Sequence, residues 1–395
     1  MRRAIGILLT AASFAVANGT VAVSAARGST DATEASDPAG TLIALDAATG
    51  QEVWRAPTPP IFTIEDVSDR VVAGRGSGCT SGPAHTYAAR TRDGSKLWQA
   101  RIGSASPPIR GGDASATGSG HSGVIVAATA KTVRGLDAAT GRERWSVPVE
   151  HAPNVSVDAR TVLIAEPSNE LRGKVEGVVR AVDRATGRRL WSVSVPDADM
   201  VTTALGRGGA AVAFVRQTVS GLDPSFPADM RVLTPRTGTE RWTADDLAPV
   251  AVTESVVVTQ QGERGYATGL VVLDAATGTR RWDRSSAPRV WPMGTRLGLH
   301  EVVPVRPSDA TDRFTVVDAA TGNEVWARSL DQPERPIAAS DAVVAISDPS
   351  TVTLLDAGSG ATRWQSAPLP EGTVVNSAAL TADRVYVAVG CSYSD

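Results

Sequence analysis

Eight copies of one ten-residue phrase run the length of the chain: LDAATGQEVW at 45–54, ARTRDGSKLW at 89–98, LDAATGRERW at 136–145, VDRATGRRLW at 182–191, LTPRTGTERW at 233–242, LDAATGTRRW at 273–282, VDAATGNEVW at 317–326 and LDAGSGATRW at 355–364. From Gly50 to Gly360 the glycines take seven steps over 310 residues, a period of about 44, the size of a four-stranded sheet unit stacked in a ring. Each part of the phrase has a physical task. The aliphatic run before it reads as a buried strand. The Asp starts a tight turn by accepting from the backbone ahead of it, and the Thr hydroxyl adds a weaker bond of the same kind. The Gly supplies the left-handed conformation that closes the hairpin. The Trp returns the largest apolar side chain to the sheet, against the neighbouring unit. Trp54, Trp98, Trp145, Trp191, Trp242, Trp282, Trp326 and Trp364 are therefore expected to dock one unit on the next. The reading is an all-β, eight-bladed β-propeller of four-stranded antiparallel blades.

The ends of the chain indicate how the ring shuts. Upstream of Leu42 lies only a polar stretch, so the first phrase has two outer strands and no inner pair. Downstream of Trp364, residues 374–380 and 384–390 read as two inner strands with no phrase after them. The expectation is a composite closing blade built from both termini, which removes an open sheet edge.

The repeated phrase resembles the tryptophan-docking motif A-x-D-x-x-T-G-x-x-x-W of the PQQ-like, or quinoprotein-alcohol-dehydrogenase-like, β-propellers, and the resemblance covers nearly everything from Thr41 to the C-terminus. The departures are local: Arg90 and Thr234 replace the Asp, and Asp93 and Ser359 replace the Thr, so looser second and fifth turns are expected. The resemblance implies a fold and several incompatible activities. Similar propellers include quinone-dependent dehydrogenases, the lipoprotein of the outer-membrane barrel-assembly machinery and extracellular sensor domains.

Three segments follow: a signal peptide or N-terminal anchor at 1–26, a polar linker at 27–40 and the propeller at 41–395. Arg2 and Arg3 precede an uncharged run at 4–26 with small-x-small sites at 15–17 and 23–25, the pattern of a cleaved signal peptide. The run is also long enough to span a bilayer uncleaved. Either way the propeller is expected outside the cytoplasm, secreted or held to the membrane by its N-terminus only. In such a compartment the two cysteines, Cys79 and Cys391, each placed after a second strand in adjacent blades, are expected to form a disulfide; two buried thiols are the alternative. The net charge of −3 gives no nucleic-acid footprint.

Function is expected where the repeat breaks. The phrase turns are short and share one face, whereas enlarged connections at 75–84, 167–177, 217–228, 260–268 and 306–312 open on the other, the face expected to meet a protein partner or small ligand. Arg134, Arg180 and Arg231 occupy one position, three residues before the motif Asp or its replacement, in three consecutive blades. Together they could receive a carboxylate-bearing ligand, or each could pair with acids such as Glu166, Glu170 and Asp229. Trp291 is the one tryptophan outside the phrase, on the inner strand of the seventh blade, where it could line the channel and stack on a ligand or fill the core. Four histidines (His85, His121, His151, His300) show no metal-ligand spacing, and no nucleophile or phosphate-loop motif occurs. No catalytic residue or metal is assigned. The chain also has no adjacent cysteine pair of the kind that quinone dehydrogenases resembling it carry. The favoured reading is a non-catalytic extracytoplasmic binding scaffold with no cofactor. A PQQ-dependent dehydrogenase using calcium, or a ligand-sensing domain, is the alternative.

Overall fold

At each phrase whose turn is described the chain reverses in the same way; residues 91–92 of the second phrase lie outside the described residues. Gly50 N donates to Asp46 O at 2.8 Å, and Asp46 Oδ1 accepts from Ala48 N, Thr49 N and Thr49 Oγ1, each at 3.0 Å. Ser359 replaces the Thr without loss, since its N and Oγ both reach Asp356 Oδ1 at 3.0 Å. The fifth turn, with Thr234 for Asp, keeps its backbone closure (Gly238 N to Thr234 O, 2.9 Å), and Arg241 Nε donates to Thr234 Oγ1 at 3.3 Å.

The computed structural model describes residues 40–68, 70–77, 84–90, 93–103, 110–111, 123–166, 177–195, 200–205, 212–217, 228–263, 266–286, 288–302, 312–330 and 334–391. They form an all-β propeller whose strands fall into eight sheets. Sheet 1 joins the chain ends: Val374–Leu380, Arg384–Gly390, Gly40–Asp46 and Glu52–Thr58, from the inside out, with Thr41 opposite Val389 and Asp46 opposite Arg384. Sheet 2 spans 61–103 and sheet 3 spans 124–148. Sheet 4 spans 154–195, sheet 5 spans 200–244, sheet 6 spans 247–284, sheet 7 spans 289–330 and sheet 8 spans 335–365.

Among the described residues six of these sheets, not eight, are four-stranded: sheet 3 shows three strands, and sheet 4 shows five because Arg110–Gly111 pairs in parallel with its inner strand, Asn154–Val157. The residues directly before Val124, 112–122, lie outside the described residues.

The cores lie between sheets rather than on a central axis. Each apolar cluster takes one face from each of two neighbours, as where Ile43, Leu45 and Val387 of sheet 1 meet Ala345, Leu354 and Trp364 of sheet 8. No helix among the described residues is long and apolar enough to cross a membrane.

Candidate functional site: the seams and the two faces of the ring

The tryptophans act across the seams. Trp145 Nε1 donates to the carbonyl of Arg184 at 2.8 Å, Trp191 to Pro235 at 2.6 Å, Trp326 to Ala357 at 2.9 Å and Trp364 to Ala47 at 2.9 Å. Trp98, Trp242 and Trp282 reach Ala138, Ala275 and Ala319 at 3.0, 3.2 and 3.0 Å. The indole also covers the turn glycine of the next sheet: a Cβ on Gly187 would lie 2.6 Å from Trp145 Cγ, and one on Gly94 would lie 2.6 Å from Trp54. These glycines hold φ between +68° and +74°. Both the left-handed backbone and the overlying ring therefore require glycine there. Followed round, the contacts run from each sheet to the next and from sheet 1 back to sheet 2.

The same turns bind arginine. Arg144 reaches Asp137 Oδ2 at 2.5 Å, Arg281 reaches Asp274 at 2.5 Å and Arg363 reaches Asp356 at 2.7 Å. The Arg hydrogen bond, followed by that of the motif hydroxyl, holds the carboxyls of Asp137 and Asp356 down at about 2. Asp274 is held well below the usual carboxylate range by Arg281 in the same way.

Arg134, Arg180 and Arg231 lie on the strands that run into the phrase turns of sheets 3, 4 and 5, each beside a different carboxylate of its own sheet. Arg134 is 3.6 Å from Glu143 and Arg231 is 3.9 Å from Glu240, both pairs well exposed. Arg180 forms an ion pair with the buried Glu166, and the other Glu166 oxygen accepts Glu150 N at 2.6 Å. Burial pushes the Arg180 pKa down, with Glu150 opposing. Glu170 lies outside the described residues.

Trp291 is a core side chain and not a channel-facing platform. It is 3 % exposed and packs with Met293, Phe314 and Val316 of its own sheet against Ala339, Val344 and Ile346 of sheet 8. Strand alternation is the reason: Arg289, Trp291 and Met293 share the face turned towards sheet 8.

Sequence reasoning missed Arg184. It occupies the phrase position held by Ala47, Ala138, Ala275, Ala319 and Ala357 elsewhere, yet it is 1 % exposed. Its guanidinium donates to Val124 O (Nε, 3.1 Å; Nη2, 2.8 Å) and Asp158 O (Nη1, 2.9 Å), and forms an ion pair with Asp66. Asp66 belongs to sheet 2, Val124 to sheet 3 and Asp158 follows the inner strand of sheet 4. The side chain thus ties sheets 2, 3 and 4 together. The signal was an arginine in an alanine slot.

On the opposite face, residues 78–83, 167–176, 218–227 and 303–311, which make up most of four of the expected enlarged connections, lie outside the described residues, as do Cys79 and the N-terminal segment. The connection expected at 260–268 is corrected. The strands Val256–Glu263 and Tyr266–Asp274 pair almost to their ends, with Glu263 opposite Tyr266. Among the described residues no group of three or more His, Cys, Asp or Glu side chains could hold a metal ion.

A model of the family described as outer membrane protein assembly factor BamB matches residues 7–170, 175–298 and 267–394. No curated protein matches the chain. Among solved structures it is similar to AztD of Citrobacter koseri, with 14% identity and a TM-score of 0.52 over 91% of this chain and 100% of that one. It is similar to the quinohemoprotein alcohol dehydrogenase of Comamonas testosteroni, with 14% identity and a TM-score of 0.50 over 90% and 77%. BamB from Moraxella catarrhalis gives 14% and 0.49 over 85% and 88%. At these identities what is shared is the fold.

Proposed function

The chain belongs to the repeat-propeller family described as outer membrane protein assembly factor BamB, and on that premise we propose that it is a non-catalytic binding scaffold working outside the cytoplasm. One observation carries the reading: the chemistry of the repeat is engaged in packing. The phrase tryptophans bond the next sheet, the phrase aspartates bind their own turns, and Arg134, Arg180 and Arg231 already face carboxylates. Recognition falls to the face opposite the phrase turns, where the long connections start, and a protein or small ligand binds there. Arg134 and Arg231 can contribute, because exposed ion pairs exchange partners at little cost. A PQQ-dependent dehydrogenase with calcium and a ligand sensor are the competing readings; the first is supported by the resemblance of the repeat alone.

The proposal includes an eight-bladed ring shut by the composite sheet 1, supported by tryptophan contacts that return from sheet 1 to sheet 2. It also includes a Cys79–Cys391 disulfide, supported by the count of two cysteines and by Cys391 not being a free thiol. Residues 1–26 direct or anchor the chain outside the cytoplasm.

Site-specific photo-crosslinking in intact cells tests the face. Probes at Ser286 and Ser350, exposed between strands on the long-connection side, are expected to give a partner adduct, whereas probes at Ala48 and Ala276 in the phrase turns give none. Adducts only from the phrase turns would contradict the assignment.

A further inference from the structure

Sheet 7 carries an unusual set of polar groups on the face it turns towards sheet 8. Directly opposed residues of neighbouring strands point to one side, and so do residues two apart on a strand. His300 is opposite both Arg289 and Phe314, Trp291 is opposite Gly298, and Asp312 is two residues before Phe314. All of these therefore share that face. Among the described residues Trp291 Nε1, His300 Nε2 and Asp312 Oδ1 are buried there without a hydrogen-bond partner. His300 Nε2 is 3.4 Å from Asp312 Oδ2, an approach short of a formed hydrogen bond. His300 and Asp312 are 5 % and 7 % exposed. Buried polar atoms are rarely left unmatched, and each costs about 1–3 kcal/mol when they are.

We propose that His300 and Asp312 form a proton-sensitive latch in the seam between sheets 7 and 8, at the end of the seam away from the phrase turns. The pair straddles the second and third strands of sheet 7, His300 two residues before the end of Arg296–Val302 and Asp312 at the start of Asp312–Asp318. Neutral imidazole is tolerated among Trp291, Phe314 and the apolar side chains of sheet 8. Imidazolium there must be buried beside cations. Arg289 faces it from the inner strand, Arg328 lies on the same face of the outer strand and pairs with Glu334 at 3.6 Å, and Arg335 enters from sheet 8 with Nη2 on Val375 O at 2.6 Å. Among the described residues, Asp312 and Glu334 are the acids set against these. Burial lowers the His300 pKa, Asp312 opposes, and Arg289 adds to the lowering. Because the folded-state pKa is depressed, the seam has its full stability above the pKa of free imidazole and loses it as pH falls towards the folded value. Acidification therefore loosens the seam.

Amide exchange and histidine NMR on the full chain test the latch without reference to any partner. The imidazole signal missing in His300→Gln is expected to titrate below the free range. From pH 7 to pH 5, after correction for intrinsic exchange, amides of 289–293 and 296–302 are expected to lose roughly fivefold or more of their protection in the natural protein and to hold it in His300→Gln. Titration at or above the ordinary imidazole range, or the same loss in His300→Gln, overturns the proposal. If that variant does not fold, Asp312→Asn must move the His300 titration further down, and an unmoved titration overturns it.

Discussion

Arg184 of sheet 4 closes on Asp66 of sheet 2, two sheets away in chain order. The ion pair is buried, and the guanidinium also holds the carbonyls of Val124 and Asp158. A buried carboxylate left without its cation is far costlier than the pair itself is stabilising. Arg184→Ala is expected to lower stability by about 3 to 5 kcal/mol in urea unfolding. Arg184→Ala together with Asp66→Ala should recover part of that loss. A single-variant effect below about 1 kcal/mol would show that the pair does not tie these sheets together.

The docking of tryptophan on glycine makes a paired prediction. Trp145→Ala removes a buried ring and its bond to Arg184 O, an expected loss of about 3 to 5 kcal/mol. Gly187→Ala is destabilising for two reasons, positive φ and overlap with Trp145, and only the first survives in the Trp145→Ala background. A double-mutant cycle should therefore show a coupling of about 0.5–3 kcal/mol. Strict additivity would contradict the contact.

The three repeated arginines should separate by burial. Arg134→Gln and Arg231→Gln, both exposed, are expected to leave the melting temperature nearly unchanged. Arg180→Gln strands the buried Glu166 and should lower it clearly. If recognition uses Arg134 and Arg231, their double variant loses the adducts from Ser286 and Ser350 while remaining folded. An equal stability loss at all three positions would assign them to structure alone.

Acid stability follows from the phrase turns. Asp137 and Asp356 sit at about 2, depressed from 3.8, so their contribution is full above about pH 3.8 and is lost as pH falls through about 2. Urea midpoints measured from pH 5 to pH 2 should fall less steeply for Asp137→Asn/Asp356→Asn than for the natural chain. Parallel curves would contradict the assignment.

Turn, glycine and composite sheet were legible in the sequence because each is a local rule repeated in phase. The inner strand at 289–293 was legible as a strand but not by face. Arg-Val-Trp-Pro-Met alternates weakly, and an inner strand with both sides covered does not announce which neighbour Trp291 meets. Arg184 was overlooked. A period in the phrase says nothing about one substituted position, and the arginine matters only once its partners on sheets 2, 3 and 4 are seen in space. His300 and Asp312 are twelve residues apart in sequence and meet only through the register of their hairpin.

The central claim, a propeller whose repeat chemistry is engaged in packing and which binds rather than catalyses, is tested most directly by adding PQQ and calcium to the purified protein and following absorbance and dye-linked oxidation of alcohols and sugars. The account predicts no stoichiometric quinone spectrum and no turnover above the protein-free control. A saturable spectrum with dye reduction dependent on both additions would contradict it and establish the dehydrogenase reading.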